Sequence, residues 1–372
     1  MRGSTMRTAG VIGGGIGGLA TALALANAGW TVTVFEKAPV LTEVGAGITL
    51  WPNALAALDH LGVGDDIRSR AAPGWVGGIR NRQGRWLLRT DAERFRKLHG
   101  NFVAMHRADL VDVLRTALPE SVTLRLGGAV TGIEVGGGIR CGDRTEDFDL
   151  IVGADGIDSL TRRVMFPEYP APRSLGIRAW RWIVDDVDLV DVGVVEVGGI
   201  LGAGGEFGIV PLGNGRLYVF AAARLSKEEP DPSLDDFLHW PDPVPQLISA
   251  VAPQMILRHD IRDLPALPSF VRGSVVLVGD AAHAMGPHLG QGACQALEDA
   301  VALGAHAHDV ATYDYLRTKR THRLQIRSRR SARIILTRGA GATLVRDFAL
   351  RALPTELFLR GMGSNFSTRN MM

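Results

Sequence analysis

Three kinds of hydrophobic pattern follow one another along the 372 residues. Short unbroken apolar runs at Ala9 to Ile12, Leu150 to Ala154 and Val275 to Val278 read as strands buried on both faces, as in a parallel sheet covered by helices. Leu19 to Ala28 reads as a helix that Gly29 stops, and Thr31 to Phe35 as a second strand ending in Glu36. From Arg178 to Ile261 the pattern changes to alternating and aromatic segments separated by Gly, Asp and Pro, which predicts antiparallel strands. Val310 to Thr337 predicts a long helix with Tyr313, Leu316, Leu324, Ile326, Ile334 and Ile335 as packing positions. The class is therefore α/β: a parallel-sheet unit in discontinuous segments, an inserted and mostly antiparallel sheet, and C-terminal helices.

Composition narrows the chemistry. With 46% hydrophobic and 22% charged residues and a net charge of +2, the chain is no disordered tail, disulfide-stapled module or collagen-like repeat. Its 46 glycines exceed the roughly 26 of average usage, so the surplus belongs to turns or to backbone that approaches a ligand. Thirteen of them fall in residues 13–18, 45–47, 153–156 and 279–292. Cys141 and Cys294 are far apart and form no CxxC, so no metal site is expected and a reducing, cytoplasmic setting is the default. The uncharged stretch Thr8 to Phe35 carries a glycine cluster and an alternating strand where a signal peptide or membrane helix would carry dense leucine. Met1 to Thr5 reads as a leader before a start at Met6.

Gly13, Gly15 and Gly18 form a GxGxxG between the first strand and the first helix, with Glu36 at the end of the next strand. This is the order of a Rossmann dinucleotide unit: Gly13 permits the tight turn, Gly15 admits a pyrophosphate and Gly18 lets the helix pack close. The helix start offers free amides and a positive dipole end to phosphate, and Glu36 suits two ribose hydroxyls. The motif alone does not separate NAD from FAD.

Two later segments do. Leu150 to Ala154 runs into Asp155, Gly156, Ser159 and Arg162, and Val275 to Val278 into Gly279, Asp280, Ala281, Ala282, His283, Pro287, Gly290, Gln291 and Gly292. With GGGIGG, ADGIDS and GDAAHAMGPHLGQG in this order, the chain resembles the single-component (group A) FAD-dependent aromatic hydroxylases, the family of 4-hydroxybenzoate and salicylate hydroxylases. Arg107 in HRADL and the segment Gly45 to Gly62 also fit that pattern, whereas Cys294 stands where the family often has Asn. The resemblance implies FAD as cofactor, NADPH or NADH as transient co-substrate, and O2. It implies transfer of one oxygen atom from a C4a-hydroperoxyflavin to an aromatic or heteroaromatic ring.

The resemblance also assigns residues. Gly13, Gly15, Ile16, Gly18, Glu36, Lys37, Gly47, Arg107, Asp155, Asp280, Pro287, Gly290, Gly292 and Ala293 form the cofactor set. Arg107 would reach FAD between ribityl and phosphate, or else be one of many surface arginines. Asp155 would order the pyrophosphate region, or else serve as a turn aspartate bonded to its own backbone. Asp280 ends a buried strand and suits the ribityl hydroxyls, or caps the next helix. The helix start after Gly292 would stabilise negative charge on the flavin pyrimidine.

In the middle segment Arg178, Trp180 and Trp182 share one strand face, and Arg216, Tyr218 and Phe220 another. The first three are candidate pocket residues, since tryptophans stack on rings and an Arg binds a phenolate or carboxylate; packing within the sheet is the competing reading. His288, Arg216 and Tyr218 are the catalytic candidates, His288 as proton acceptor with an ordinary pKa near 6.5. His283 reads as structural. WRWIV at Trp180 to Val184 departs from the WxWxIP of flavin halogenases, because one residue separates the tryptophans and no proline follows.

Arg317 to Arg351 holds eleven Lys or Arg against one acid, Asp347, a local +10 that leaves −8 for the remainder. An exposed basic helix face is the expectation, with no aromatic interleaving to suggest nucleic acid. The expected division is 6–70, 101–168 and 270–310 for FAD, 71–100 and 169–269 for substrate, and 311–372 as a helical region. A monomer or homodimer acting on a small aromatic molecule is expected, with no integral membrane segment. Epoxidation or oxidation of a polycyclic natural product or antibiotic is the alternative chemistry, and a non-catalytic flavin-binding protein the alternative class.

Overall fold

Parallel pairing places the strand Thr8–Ile12 at the centre of the first sheet, between Leu150–Gly153 and Thr31–Glu36. In this computed structural model, which describes residues 6–41, 46–74, 77–134, 136–185, 198–226 and 230–367, that sheet has six strands. Val275–Leu277 and Val122–Leu126 extend it in parallel on either side, and Val271–Arg272 closes one edge antiparallel. Ala9, Val11, Val152, Val275 and Val276 are wholly buried, as strands covered on both faces must be. Met1 to Thr5 and Gly45 lie outside the described residues.

The helix Ile16–Asn27 packs on Gly292–His306 through small residues. A Cβ added at Gly17 would lie 3.4 Å from Ala296, and one added at Gly304 would lie 3.0 Å from Ala24. The two helices therefore run parallel, which brings both N-termini to the same side of the sheet. Gly18 is forced by the same closeness, since a Cβ there would sit 1.9 Å from the Gly13 carbonyl oxygen.

The middle of the chain builds a seven-stranded sheet in the order Leu257–Asp263, Arg173–Val184, Arg216–Arg224, Gly205–Gly213, Gly199–Leu201, Gly78–Asn81 and Trp86–Arg89. All its pairs are antiparallel except Gly199–Leu201 with Gly78–Asn81. Trp180, Trp182, Phe207, Val219 and Ala221 on one face form a core with Phe237, Trp240 and Leu247. The other face carries Arg181, Glu206, Tyr218, Phe220 and His259.

The long helix spans Val310–Ile335. Tyr313 and Leu324 are buried as expected, but Ile326 and Ile334 are about half exposed. Polar residues take the inward positions in their place: Arg317, Thr321, Gln325 and Ser328 are buried. The expectation of an exposed basic face is thus corrected at Arg317 and Arg320, and also at Arg346, which donates to the carbonyls of Gly202 and Ile335. These arginines face inward because buried acceptors await them.

Candidate active site

The first part of the site is a backbone cradle. Gly13 has φ +110°, and a Cβ added there would lie 2.4 Å from the Ala154 carbonyl oxygen, so the turn admits only glycine. Gly15, the residue preceding Ile16–Asn27, has open space around the place of a Cβ, and the helix start has neither a side-chain cap nor an acid in its first turn. Its amides are left for an anion. Glu36 sits beside this start, its carboxylate accepting from the amides of Gly14 at 2.6 Å and Ala38 at 2.8 Å. Lys37 follows it on the exposed side of that turn.

The second helix start repeats the arrangement. Gly292 also has open space at its Cβ position, and Gly292–His306 has no side-chain cap and no acid in its first turn. Gly290 is left-handed at φ +62° and lies against the Trp51 indole nitrogen. Buried nearby without partners among the described residues are Gln291 Nε2 and Trp51 Nε1. Asp280 is exposed at the head of the short helix Asp280–His283. The two helix starts with unused amides lie on the same side of the sheet, and such starts suit the phosphates of a dinucleotide.

Asp155 is committed locally: it accepts from Ser159 Oγ at 2.6 Å and from the Thr161 amide and hydroxyl at 3.0 Å each. Of these three bonds only the one from the Thr161 amide is to backbone. Arg107 begins the helix Arg107–Thr116, its amide bonded to the Ala46 carbonyl. Its charge also reaches Tyr218. A Cβ on Gly47 would lie 2.5 Å from Tyr218, so this glycine lets the first unit's backbone lie directly on the second sheet.

Beside the Gly292 helix start lies a buried ionic network. Arg317 pairs with Glu298 and Asp299 at 2.6 Å each, and Arg320 with Glu298 at 2.8 Å. Asp299 also accepts from the Gly279 amide and pairs with His283 at 2.5 Å, while Asn53 bridges Gln291 and Glu298. Burial pushes the Asp299 carboxyl up, but His283 and Arg317 outweigh it and hold it at about 2. His283 is structural, as expected. The network ties the long helix to the residues that carry Asp280 and Gly292.

The polar face of the second sheet is the other part of the site. Strand pairing sets Arg181 opposite Phe220 and Leu257, Tyr218 opposite Ile183 and Val210, and His259 opposite Ala179. Phe220 lies flat over Gly208, where any Cβ would meet its ring at 2.1 Å. From the Pro287–Leu289 turn His288 reaches Glu206, Nε2 to Oε1 3.4 Å, without hydrogen-bond geometry. Both ring nitrogens of His288 are buried and unpartnered among the described residues. Ser328 Oγ donates to the Gly286 carbonyl, and Gln325 to that of Ala284, so the long helix holds this turn in place.

Charge on this face is unusual. Burial pushes the Glu206 carboxyl up to about 7, against the pull of Arg181. Burial, then Arg181, lowers His288 to about 4, which corrects the expected value near 6.5. His259 falls to about 4 for the same reasons, with Asp260 pulling the other way. Burial also raises the Tyr218 phenol. At neutral pH both histidines are neutral and Glu206 is near half-ionised.

Three pocket candidates fall elsewhere. Trp180 and Trp182 point into the core of the far face, where Trp182 Nε1 donates to the Leu247 carbonyl at 3.0 Å. Arg178 shares that face and is held by Asp260 and Asp231 at 2.9 and 2.7 Å. Strand parity decides this: the inward arginine is Arg181, flanked by the two tryptophans in sequence. Arg216 lies at the rim, 3.4 Å from Asp109. Sequence reading missed Arg181, Glu206 and His259, although their alternation against the tryptophan face was there to be read.

A glycine-lined dinucleotide turn and a second, largely antiparallel sheet with a polar face are the features of a flavoprotein fold. The model of an FAD-binding domain matches residues 6–126 and 140–325, and the chain belongs to this family of FAD-dependent aromatic hydroxylases and monooxygenases. It is 35% identical over 366 residues to the aurachin C monooxygenase/isomerase of Stigmatella aurantiaca, covering 93% of this chain and 94% of that one. It is 34% identical over 370 residues to a salicylate hydroxylase of Pseudomonas putida, covering 85% and 83%. Among solved structures, Klebsiella pneumoniae HpxO complexed with FAD and uric acid superposes with a TM-score of 0.86 at 28% identity, over 97% of this chain and 96% of that one.

Proposed function

We propose that the chain is an NAD(P)H-dependent monooxygenase that inserts one oxygen atom of O2 into an electron-rich aromatic or heteroaromatic ring. FAD, when bound, supplies the reducible ring and the activation of oxygen. The observation that carries the reading is the polar sheet face of Arg181, Glu206 and Tyr218, closed by His288 from the turn that leads into the Gly292 helix start.

In this reading Gly13, Gly15, Ile16 and Gly18 hold the pyrophosphate at the Ile16–Asn27 helix start. Glu36, each of whose two oxygens accepts one amide bond, keeps a further lone pair on each for ribose hydroxyls, with Lys37 at its side. Asp280 accepts from the ribityl chain, Arg107 donates between ribityl and phosphate, and Gly47 gives the backbone clearance. Pro287, Gly290, Gly292 and Ala293 present the second helix start to the pyrimidine edge, where the amides stabilise negative charge. Neutral His288 accepts a hydrogen bond from a substrate hydroxyl, and Glu206 is the group able to take the proton near pH 7. Tyr218 orients the ring, and Arg216 with Asp109 guards the rim.

The accompanying reading is a cytoplasmic monomer or homodimer with no nucleic-acid partner; among the described residues no helix is long and apolar enough to cross a membrane. Similarity to the aurachin C monooxygenase/isomerase favours, as a second reading, oxidation of a polycyclic natural product. The test is substrate-stimulated NADPH and NADH oxidation by the FAD-loaded protein across simple phenols, nitrogen heterocycles and polycyclic compounds, with product mass. An added 16 mass units in any class supports the reading, and flavin that no nicotinamide reduces sinks it.

A further inference from the structure

The helix Ala340–Ala352 is mounted with a polar residue inward and its large apolar residues outward. Arg346 is its one buried residue, donating to the carbonyls of Gly202 and Ile335 and to Asp347. Leu344 and Phe348, one turn apart, lie on the opposite side with Val345 beside them, and the three are 70, 73 and 69% exposed. Single exposed apolar side chains are ordinary, but neighbours on one turn make a patch. Leu357, on the next helix Thr355–Met362, is 60% exposed as well.

Beside this patch lies a basic hairpin. Arg351 shares the side of Leu344 and Phe348 and donates to the Trp86 carbonyl at 3.2 Å, and the Thr355 hydroxyl donates to the Arg89 carbonyl at 3.0 Å. These bonds seat the two helices against the hairpin of Gly78–Asn81 and Trp86–Arg89. Residues 78–89 contain Arg80, Arg82, Arg85 and Arg89 and no acid. The half-buried Trp86 ring stacks with the guanidiniums of Arg80 and Arg89 at 4.3 and 4.8 Å. The acids of the two helices are already engaged, Asp347 by Arg346 and Glu356 by Arg94 and Arg360. Outward Leu, Val and Phe next to a Trp and unopposed arginines is the composition of a surface that lies in a lipid headgroup layer. We propose that this face docks the protein on an anionic phospholipid bilayer. Leu344, Val345, Phe348 and Leu357 enter the boundary between headgroups and acyl chains, and the hairpin arginines meet the lipid phosphates. A second copy set on the same face by a two-fold axis would bring these arginines against their own equivalents, whereas anionic lipid neutralises them. The contact is peripheral, and among the described residues no helix is long and apolar enough to cross a membrane.

The test is flotation of the FAD-loaded protein with vesicles of phosphatidylcholine alone and of phosphatidylcholine mixed with phosphatidylglycerol, at low and high salt. We expect the mixed vesicles to bind at least about tenfold more tightly than phosphatidylcholine, and salt to weaken that binding. Leu344→Glu with Phe348→Glu should abolish binding, and Arg82→Glu with Arg85→Glu should remove the preference for anionic lipid. These four side chains are exposed, so FAD content and Tm should stay at wild-type values in both variants. Because the two vesicle types are compared with wild-type protein, the result stands even where a variant fails to fold. Absence of binding to the mixed vesicles, or equal binding to both kinds, overturns the proposal. So does a dimer in sedimentation that the Leu344 and Phe348 substitutions split, which would assign the face to a second copy.

Discussion

Glu206 has to be considered together with pH. Its carboxyl sits at about 7 when folded against an ordinary 4.5, so the folded chain keeps a proton that the unfolded chain releases. Below pH 4.5 there is no penalty; between 4.5 and 7 stability falls, and above 7 the full cost of roughly 3 kcal/mol remains. Glu206→Gln should therefore raise the Tm of FAD-free protein at pH 8 and leave it nearly unchanged at pH 4. An equal Tm difference at both pH values would contradict the burial of this acid. His288 has the opposite sign: lowered to about 4, it destabilises the folded state at low pH and ceases to do so above 6.5. His288→Ala should retain FAD and lower coupled product formation by 10²-fold or more, measured as product per NADPH consumed. Loss of FAD with unchanged chemistry per bound flavin would refute its role at the polar sheet face.

Among the elements, the two parallel helix starts are the cradle proposed for the cofactor, and glycines of two kinds build them. Gly18 is a packing glycine, because its missing Cβ is replaced by the Gly13 carbonyl. Gly15 is an approach glycine: its φ of −76° suits any residue and nothing crowds its Cβ position. Gly15→Ala should leave the FAD-free Tm within about a degree of wild type and weaken FAD binding more than tenfold, whereas Gly18→Ala should lower the Tm itself. Fluorescence titration of FAD beside thermal melts of the apoprotein distinguishes the two. A Gly15→Ala protein that binds FAD normally would remove the pyrophosphate from this turn.

Across the molecule, one buried network holds the Gly279 turn and the Gly292 helix start to the long C-terminal helix. Arg317 is the charge on which it depends, and burial opposes that charge while Asp299 and Glu298 more than restore it. Removing it leaves buried Glu298 with Arg320 and buried Asp299 with His283 as their remaining charged partners, and breaking such a pair costs about 3–5 kcal/mol. Arg317→Ala should lower the Tm steeply and loosen FAD, since Asp299 would lose the partner that helps it hold the Gly279 amide. Normal melting of that variant would show the acids to be solvated.

Local order determined much of this in the sequence itself. The glycine turn, the following helix and Glu36 lie within 24 residues of one another, and their spacing alone specifies strand, turn, helix and strand. Apolar runs likewise gave the parallel strands at Leu150 and Val275, because a strand covered on both faces has no polar side to hide. What no local pattern contains is which face of a sheet meets the second layer. The Trp180 and Trp182 side and the Arg181 side of one strand are equally alternating, and only packing against residues 234–249 assigned the tryptophans to the core and left Arg181 for the polar face. The basic C-terminal helix makes the same point. Its sequence is that of an exposed face, yet Glu298 and Asp299, buried on the neighbouring helix, draw Arg317 and Arg320 inward, a pairing that exists only once the two helices have docked.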